Sequence, residues 1–362
     1  MSGKDAMAAV RRDILRLAYR GLDSRTLRLE IVRHLRRAMP IDSFWMATAD
    51  PATFLFTSAV QEEIPGSAIP HFLSNELLEE DVNKFRLLAL SPGAPAETLY
   101  RATREQPESS RRFREILRPL GFGDELRAAF RSGGVPWGYV CLHRERGPRG
   151  YAAEHMRLLA EIGPHVAQGL RAALLLRRIE EGGPAGEGQP GLVVLAPDLS
   201  IAAATAEGER WLAELEAGSA GELPQAIQSV AVQLRACECG SDGSAEARPP
   251  RLRLRTASGR WLLVHASRLA GPSSAGQTAV IIEPARPHEI APLLLDACGL
   301  TRREAEVAQL VMRGLATIGI AQTLSISPLT VQQHLKAIFD KTGVGSRREL
   351  TARFFADRLQ AH

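Results

Sequence analysis

The sequence predicts a multidomain chain in which two α+β regions precede an all-α, four-helix helix-turn-helix domain. Three observations lead there. At 362 residues the chain is long enough for two or three domains of ordinary size. The segment GGPAGEGQPG at 182–191 is rich in Gly and Pro, lacks apolar periodicity and reads as a linker. The charge is also unevenly placed. Between Leu300 and His362 nine basic residues face five acidic ones, which accounts for the whole net charge of +4, while the other 299 residues balance at 36 against 36. A neutral body with a basic tail is the charge pattern of a polyanion-binding module on a separate support.

Composition narrows the class. With 45% hydrophobic and 24% charged residues, the chain is an ordinary globular one. The opening MSGKDAMAAVRRDILRLAYRG carries Asp5, Arg11, Arg12, Asp13 and Arg16 where a signal peptide needs an apolar core, and no run of 18 apolar residues follows anywhere. The expectation is a cytoplasmic protein with no membrane partner. Four scattered cysteines, Cys141, Cys237, Cys239 and Cys298, do not make a disulfide framework, and the Cys237-Glu-Cys239 pair has no second ligand pair at zinc spacing, so neither metal nor cofactor is expected.

Before the linker, residues 5–20 and 24–38 have helical spacing, the second with an apolar stripe of Leu27, Leu29, Ile31, Val32 and Leu35. DSFWMATAD and FLFTSAV read as strands. DELRAAFRSGGVPWGYVCLHRE reads as a hairpin turning at Gly133-Gly134. An amphipathic helix over about 151–180 follows, its apolar side made of Met156, Leu158, Leu159, Ile162, Val166, Leu170, Leu174 and Leu175. After the linker, GLVVLAPDLSIAAAT gives two strands about Pro197-Asp198, 205–215 a helix, and RLRLRTASGRWLLVHASRL with QTAVIIEPA three more strands. CGSDGSAEARPP at 239–250 reads as a loop between strand-like runs, and ARPHEIAP at 285–292 as a second connection.

In the tail the helix boundaries are written in the residues. Thr301-Arg-Arg-Glu304 and Ser346-Arg-Arg-Glu349 are capping boxes. Ser327 caps a third helix with Pro328 at its first position, and Gly343 ends it. Val307, Leu310 and Val311 face inward from the first helix; a short second helix at 317–324 carries Ile320, Ala321 and Leu324. The few residues between the second and third make a helix-turn-helix. In the third helix Val331, Leu335, Ile338 and Phe339 form a buried side, while Gln332, Gln333, Lys336 and Asp340 face away. Gln amides pair bidentately with adenine, and Lys reaches guanine acceptors or phosphate. Ser327 and Thr330 at the helix start are candidate phosphate ligands.

Residues 299–356 closely resemble the LuxR-type (GerE-like) DNA-binding domain. The matches are Leu300-Thr-x-Arg303-Glu304-x-Glu306-Val307, Gly314-Leu315, Ile320-Ala321, Leu324, Ile326-Ser327, Thr330-Val331, His334, Ile338, Lys341, Gly343-Val344 and Ser346-Arg347. The resemblance implies transcriptional regulation by a homodimer on double-stranded DNA, in a bacterial cytoplasm, with RNA polymerase as a partner. It implies DNA-binding roles for Ser327, Thr330, Gln332, Gln333, His334, Lys336, Lys341, Ser346 and Arg347, with Thr330 and Lys341 on the backbone and positions 332, 333 and 336 toward bases. The chain departs from the family in two places. Gln332 stands where lysine is usual, and Ala316-Thr-Ile-Gly319 replaces Ser-Asn-Lys-Glu, which removes a cap, a charge pair and helix propensity.

By element order and the WGYVCLHRE-then-helix ending, the region before the linker resembles a GAF domain and the region after it a PAS domain. The expected organisation is 1–180 GAF-like, 181–190 linker, 191–286 PAS-like, 287–298 linker and 299–362 LuxR-type. That resemblance implies a sensory region answering a small-molecule effector, with Trp45, Trp137 and Tyr139 as candidate pocket walls. Plain core packing is the competing reading for these aromatics. An alternative is a haem, flavin or other chromophore sensor using His143, His155 or Cys141 with the same DNA-binding tail. No GxxxxGK phosphate loop and no receiver-like acidic cluster occurs, so an enzyme is not expected.

Overall fold

The computed structural model describes residues 3–93, 95–145, 150–176, 188–215, 223–240, 250–256, 258–271 and 276–355. The expected linker at 181–190 and loop at 239–250 lie largely outside these residues. The described chain falls into two compact units, one running to Glu283 and the other from Pro284 onward.

The first unit opens with helices α1 (Gly3–Ala18) and α2 (Ser24–Leu35), then strands β1 (Ser43–Ala49) and β2 (Phe56–Glu62), helices α3 (Ile69–Leu77) and α4 (Phe85–Leu90), strand β3 (Ala96–Thr98) and the short helix α5 (Leu99–Ala102). The hairpin β4 (Phe122–Ser132) and β5 (Val135–Glu145) and the helix α6 (Ala153–Leu176) follow. Both glycines of the hairpin turn have positive φ, +64° at Gly133 and +82° at Gly134, the backbone that a tight two-residue hairpin turn requires. The sheet is antiparallel in the order β2-β1-β5-β4-β3.

Helix α2 starts where Asp23 Oδ1 accepts the Arg25 and Thr26 amides, each at 3.0 Å, and it ends at Leu35, short of the expected 38. One position of its stripe is inverted: Leu29 is 40% exposed, whereas Arg28 is buried. The Arg28 guanidinium donates to Met46 O and Ser58 O at 3.1 Å and to Ser58 Oγ at 2.8 Å, tying the helix to β1 and β2. Leu174 and Leu175 of α6 are half-buried rather than buried.

The unit continues with β6 (Gly191–Leu195), β7 (Ile201–Ala204), α7 (Ala206–Glu214), α8 (Gln225–Cys239), β8 (Arg251–Arg255), β9 (Trp261–Arg268) and β10 (Thr278–Pro284). The second sheet runs β7-β6-β10-β9-β8. Numbered within its own region, each sheet has the order 2-1-5-4-3. Helix α8 is absent from the sequence reading, which places strand-like runs on both sides of the 239–250 loop. Its cap is Pro224, which offers no side-chain acceptor, and Ala226 through Leu234 are all buried, so no amphipathic stripe announces it. A helix apolar on nearly all sides is one buried on nearly all sides. Helix α8 packs against β9 of its own region and against α3 and β2 of the first.

The two α+β regions therefore share a core. Across their boundary the Arg253 guanidinium grips Asp50 at 2.6 and 3.0 Å, with the Arg253 amide adding a third bond at 2.9 Å. Trp45 Nε1 donates to Gln225 Oε1 at 3.1 Å, and Gln225 Nε2 donates to Gln61 Oε1 at 3.1 Å.

Among the described residues the second unit holds the four helices expected within 299–362 and one more ahead of them. The stretch expected as a linker at 287–298 contains α9 (Pro287–Ala297), followed by α10 (Arg302–Met312), α11 (Thr317–Leu324), α12 (Pro328–Thr342) and α13 (Arg347–Phe355). Pro287 is the first residue of α9, and the Arg286 amide donates to Glu289 Oε2 at 2.7 Å. Ile290, Leu293, Leu294 and Leu295 are buried where α9 packs on α10 and α13. The prolines that suggested a loop sit at the helix start and within it.

Asp50 is almost wholly buried, so removing its partner leaves an uncompensated charge. Arg253→Met should destabilise the first unit by about 3 kcal/mol in urea unfolding of the full chain. A change under 1 kcal/mol would show that the ion pair does not couple the two regions.

Candidate nucleic-acid interface

Helix α10 begins with the expected reciprocal cap. Thr301 Oγ1 accepts the Glu304 amide at 3.3 Å, and Glu304 Oε2 accepts the Thr301 amide at 2.7 Å. Val307, Ala308 and Val311 are buried and Leu310 is half-buried. Helix α11 has Ala316 as its cap with no side-chain acceptor. Arg347, from the start of α13, binds there instead, donating to Leu315 O at 3.0 Å and to Thr317 Oγ1 at 2.8 Å.

Three residues join α11 to α12. Ser325 takes the left-handed backbone, φ +51°, and Ser327 Oγ accepts the Thr330 amide at 3.0 Å. Gly343, φ +66°, closes the helix. Val331, Leu335, Ile338 and Thr342 are its buried residues; Phe339, expected among them, is half-buried. Opposite lies an exposed stripe of Leu329, Gln332, Gln333, Lys336 and Asp340, spaced i, i+3, i+4, i+7 and i+11, which is one face of a helix. The sequence reading omits Leu329 from this face, although it is 69% exposed; its place on the helical wheel was the signal available.

The candidate DNA-binding residues divide into two sets. Gln332, Gln333 and Lys336 are exposed and have no protein partner among the described residues. The others, His334 apart, are engaged within the fold. Ser327 Oγ and Thr330 Oγ1 pair at 2.8 Å. Lys341 Nζ donates to Glu304 Oε2 at 2.6 Å. Ser346 Oγ accepts the Glu349 amide at 3.1 Å, and Arg347 holds the α11 start. His334 is half-buried on the flank of the stripe. Among the described residues Arg313 and Arg348 join Lys336 as exposed cations of this unit without an intramolecular partner. A groove of about 500 Å³ lies along α12, lined by Thr317, Gln332, Lys336, Phe339, Asp340 and Arg347.

The residues proposed from sequence as pocket walls are all buried. Trp45, Trp137 and Tyr139 are each at most 3% exposed. Trp45 packs on Phe56 with centroids 4.8 Å apart, and Tyr139 stacks on Phe85 at 4.7 Å. The adjoining cavity, bounded by Trp45, Phe72 and His143, measures about 20 Å³, the size of a water site rather than of a flavin or tetrapyrrole. His155 Nδ1 accepts the Ala152 amide at 3.0 Å.

Sequence reading missed the charged layer behind these aromatics. Arg112, Arg127 and Glu125 are at most 1% exposed. Glu125 receives Arg112 Nε at 2.9 Å and lies 3.1 Å from Arg127 Nε, while Arg127 NH1 donates to Glu76 at 2.7 Å. Burial alone would raise the Glu125 carboxyl, but the two guanidiniums hold it well below the usual carboxylate range. Ser43, His143 and Glu125 lie in a row across three strands, with His143 Nδ1 3.4 Å from Ser43 Oγ and Nε2 3.5 Å from Glu125 Oε1. Ser43 Oγ, however, donates to Glu62 O at 2.8 Å, and Glu125 is committed to the arginines. Glu125, Cys141 and His143 also place ligand atoms within 4.8 Å of one another. Burial pushes the Cys141 thiol well up, which keeps it protonated, and a metal ligand must be deprotonated. Beside two fixed guanidiniums, the donor set does not suit a cation.

Residues 299–354 match the family model described as bacterial regulatory proteins, luxR family, so the C-terminal segment is a LuxR-family helix-turn-helix domain. A protein of Aeromonas salmonicida named as an HTH-type transcriptional regulator in the exeN 3′ region is 49% identical over 51 residues, 14% of this chain and 26% of that protein. The chain thus spans about a quarter of that relative. Among solved structures, Escherichia coli SdiA aligns over 97% of this chain and 98% of its own at 11% identity and a TM-score of 0.32. The phage VqmA–DPO complex aligns over 49% and 89% at 19% identity and a TM-score of 0.25. Scores at that level do not establish a shared whole-chain fold. Among the described residues no helix is long and apolar enough to cross a membrane.

Two tests of the site's framework follow from its geometry. A Cβ placed on Gly319 meets nothing nearer than Leu315 Cδ2 at 3.9 Å, so Gly319→Ala should stabilise α11 by about 0.5–1 kcal/mol, read as slower amide exchange across 317–324 in the full chain. For Glu304, burial raises the pKa, but the Lys341 ammonium and the Thr301 donors outweigh it and leave it below the ordinary value of about 4.5. Its stabilisation is therefore present above that value and lost as pH falls through the lower folded one. Glu304→Gln should melt earlier than the parent at pH 7, the gap closing as the buffer is acidified below the folded value; a gap independent of pH would exclude the charged contact.

Proposed function

We propose that this chain is a sequence-specific DNA-binding transcriptional regulator, with α12 as the helix that enters the major groove. The observation that carries the reading is the exposed row of Gln332, Gln333 and Lys336, without a partner among the described residues, on a helix capped at both ends, inside the segment that matches the luxR family model. Amides and an ammonium free of internal partners are what base edges and phosphates need. Lys341, Ser346 and Arg347 act mainly by holding this surface, and Ser327 and Thr330 retain acceptor and donor capacity at the helix start. A homodimer on a two-fold site in the bacterial cytoplasm, working with RNA polymerase, is the assembly that suits a single short reading helix per chain.

In this reading the first unit is the input. Residues 1–180 are GAF-like and 191–286 PAS-like, supported by the shared strand order of the two sheets, and they respond to a small-molecule effector or partner. Because α8 and the Asp50–Arg253 pair join the two regions, a change in either reaches the other as a packed body.

The test is a sequence selection with the full-length protein followed by gel shifts. A short, roughly palindromic site is expected. Gln333→Ala should lose preference at one adenine by about 1–3 kcal/mol. Lys336→Ala should weaken all sequences and lower the salt dependence of log K by about one. If both variants keep the parent's affinity and preference, α12 is not the reading helix.

A further inference from the structure

We propose that Leu329 is a specificity-determining residue, seating the C5-methyl group of a thymine in the major groove. The proposal rests on the DNA-binding reading and goes beyond it, naming the base chemistry that the helix recognises. Leu329 is the second residue of α12 and, at 69%, the most exposed of the large apolar side chains among the described residues. It lies on the same face as Gln333, four residues on, and Lys336, seven on, and so belongs to the stripe and not to the core. Its side chain can bond neither phosphate nor base edge, and the only apolar feature a B-form major groove offers is the thymine methyl.

The neighbours make the same choice. The N-terminal end of a groove-binding helix is the end that meets base edges. There Leu329 stands three and four residues before Gln332 and Gln333, which themselves lie four and three residues before Lys336. A glutamine amide pairs with adenine N6 and N7, and the thymine opposite or next to that adenine presents its methyl to the same groove. Side chains at i and i+4 are about 5–6 Å apart at Cβ, so Leu329 and Gln333 reach one base pair or two adjacent ones. The face carries one cation, Lys336, and one anion, Asp340, so its discrimination depends on shape and amide pairing more than on charge.

The experiment uses the full-length protein and its selected duplex, with deoxyuridine replacing each thymine in turn to remove only the methyl. At one thymine per half-site the parent should lose about fourfold in affinity, the value of one buried methyl-sized group. Leu329→Ala should bind the thymine duplex weaker by a similar factor and should not distinguish thymine from deoxyuridine. Being exposed, the substitution should leave the circular dichroism unchanged. If the parent is indifferent to every deoxyuridine, or if Leu329→Ala keeps the parent's discrimination, the assignment is overturned while DNA binding stands. If the parent selects no duplex at all, the DNA-binding reading falls and this assignment falls with it.

Discussion

A helix of 15 residues does not hold itself together in water, so α12 forms only by burying Val331, Leu335, Ile338 and Thr342 against its neighbours. That requirement sets what the second unit shows to solvent. Once those four positions point inward, Leu329, Gln332, Gln333, Lys336 and Asp340 point outward together. The remaining helices keep this orientation in place. Lys341 pins α12 to the capping carboxylate of α10, Arg347 replaces the missing cap of α11, and α9 closes the far side of the bundle. Lys341 and Arg347, which resemble DNA ligands in sequence, thus make bonds that link the helices around the stripe.

The first unit solves a different problem. Its two sheets meet through α8, a helix whose polar residues Gln228, Ser229 and Gln233 are buried along with its apolar ones. Around the aromatic cluster the buried charges face opposite ones, Arg112 against Glu125 and Asp81 and Arg127 against Glu125 and Glu76. Cation–π contact of Arg127 with Phe85, 4.5 Å from the ring centroid, adds to that balance. The same layer accounts for the Ser43, His143 and Glu125 row and for the Glu125, Cys141 and His143 cluster as parts of a structural network.

Much of the helical domain was legible because its signals are local. A Ser or Thr followed three residues later by Glu, a proline at the first helical position and a glycine at the end each act within one turn; the capping box at 301 and the stop at 343 are found where they were written, and at 346 the Ser346 hydroxyl accepts the Glu349 amide while the Glu349 carboxylate takes the Gly345 amide instead of that of Ser346. The hairpin at Gly133-Gly134 is of the same kind. Failures came where distance in sequence was large. Nothing local told Arg28 from Leu29, since the inversion depends on carbonyls of Met46 and Ser58. Nothing local told α8 from a strand, since its burial on all sides depends on α3 and β2 from more than a hundred residues away.

The chain's own order of residues was sufficient for the helix-turn-helix, its family and the two glutamines that face outward, because periodicity and capping are short-range physics. Packing decided the rest. It made the expected linker before the basic tail a fifth helix, buried the three aromatics named as pocket walls, and gave Lys341 and Arg347 internal bonds. It also left Leu329 in solvent, because the inward face of α12 was already filled and the helical turn gave that side chain no other direction.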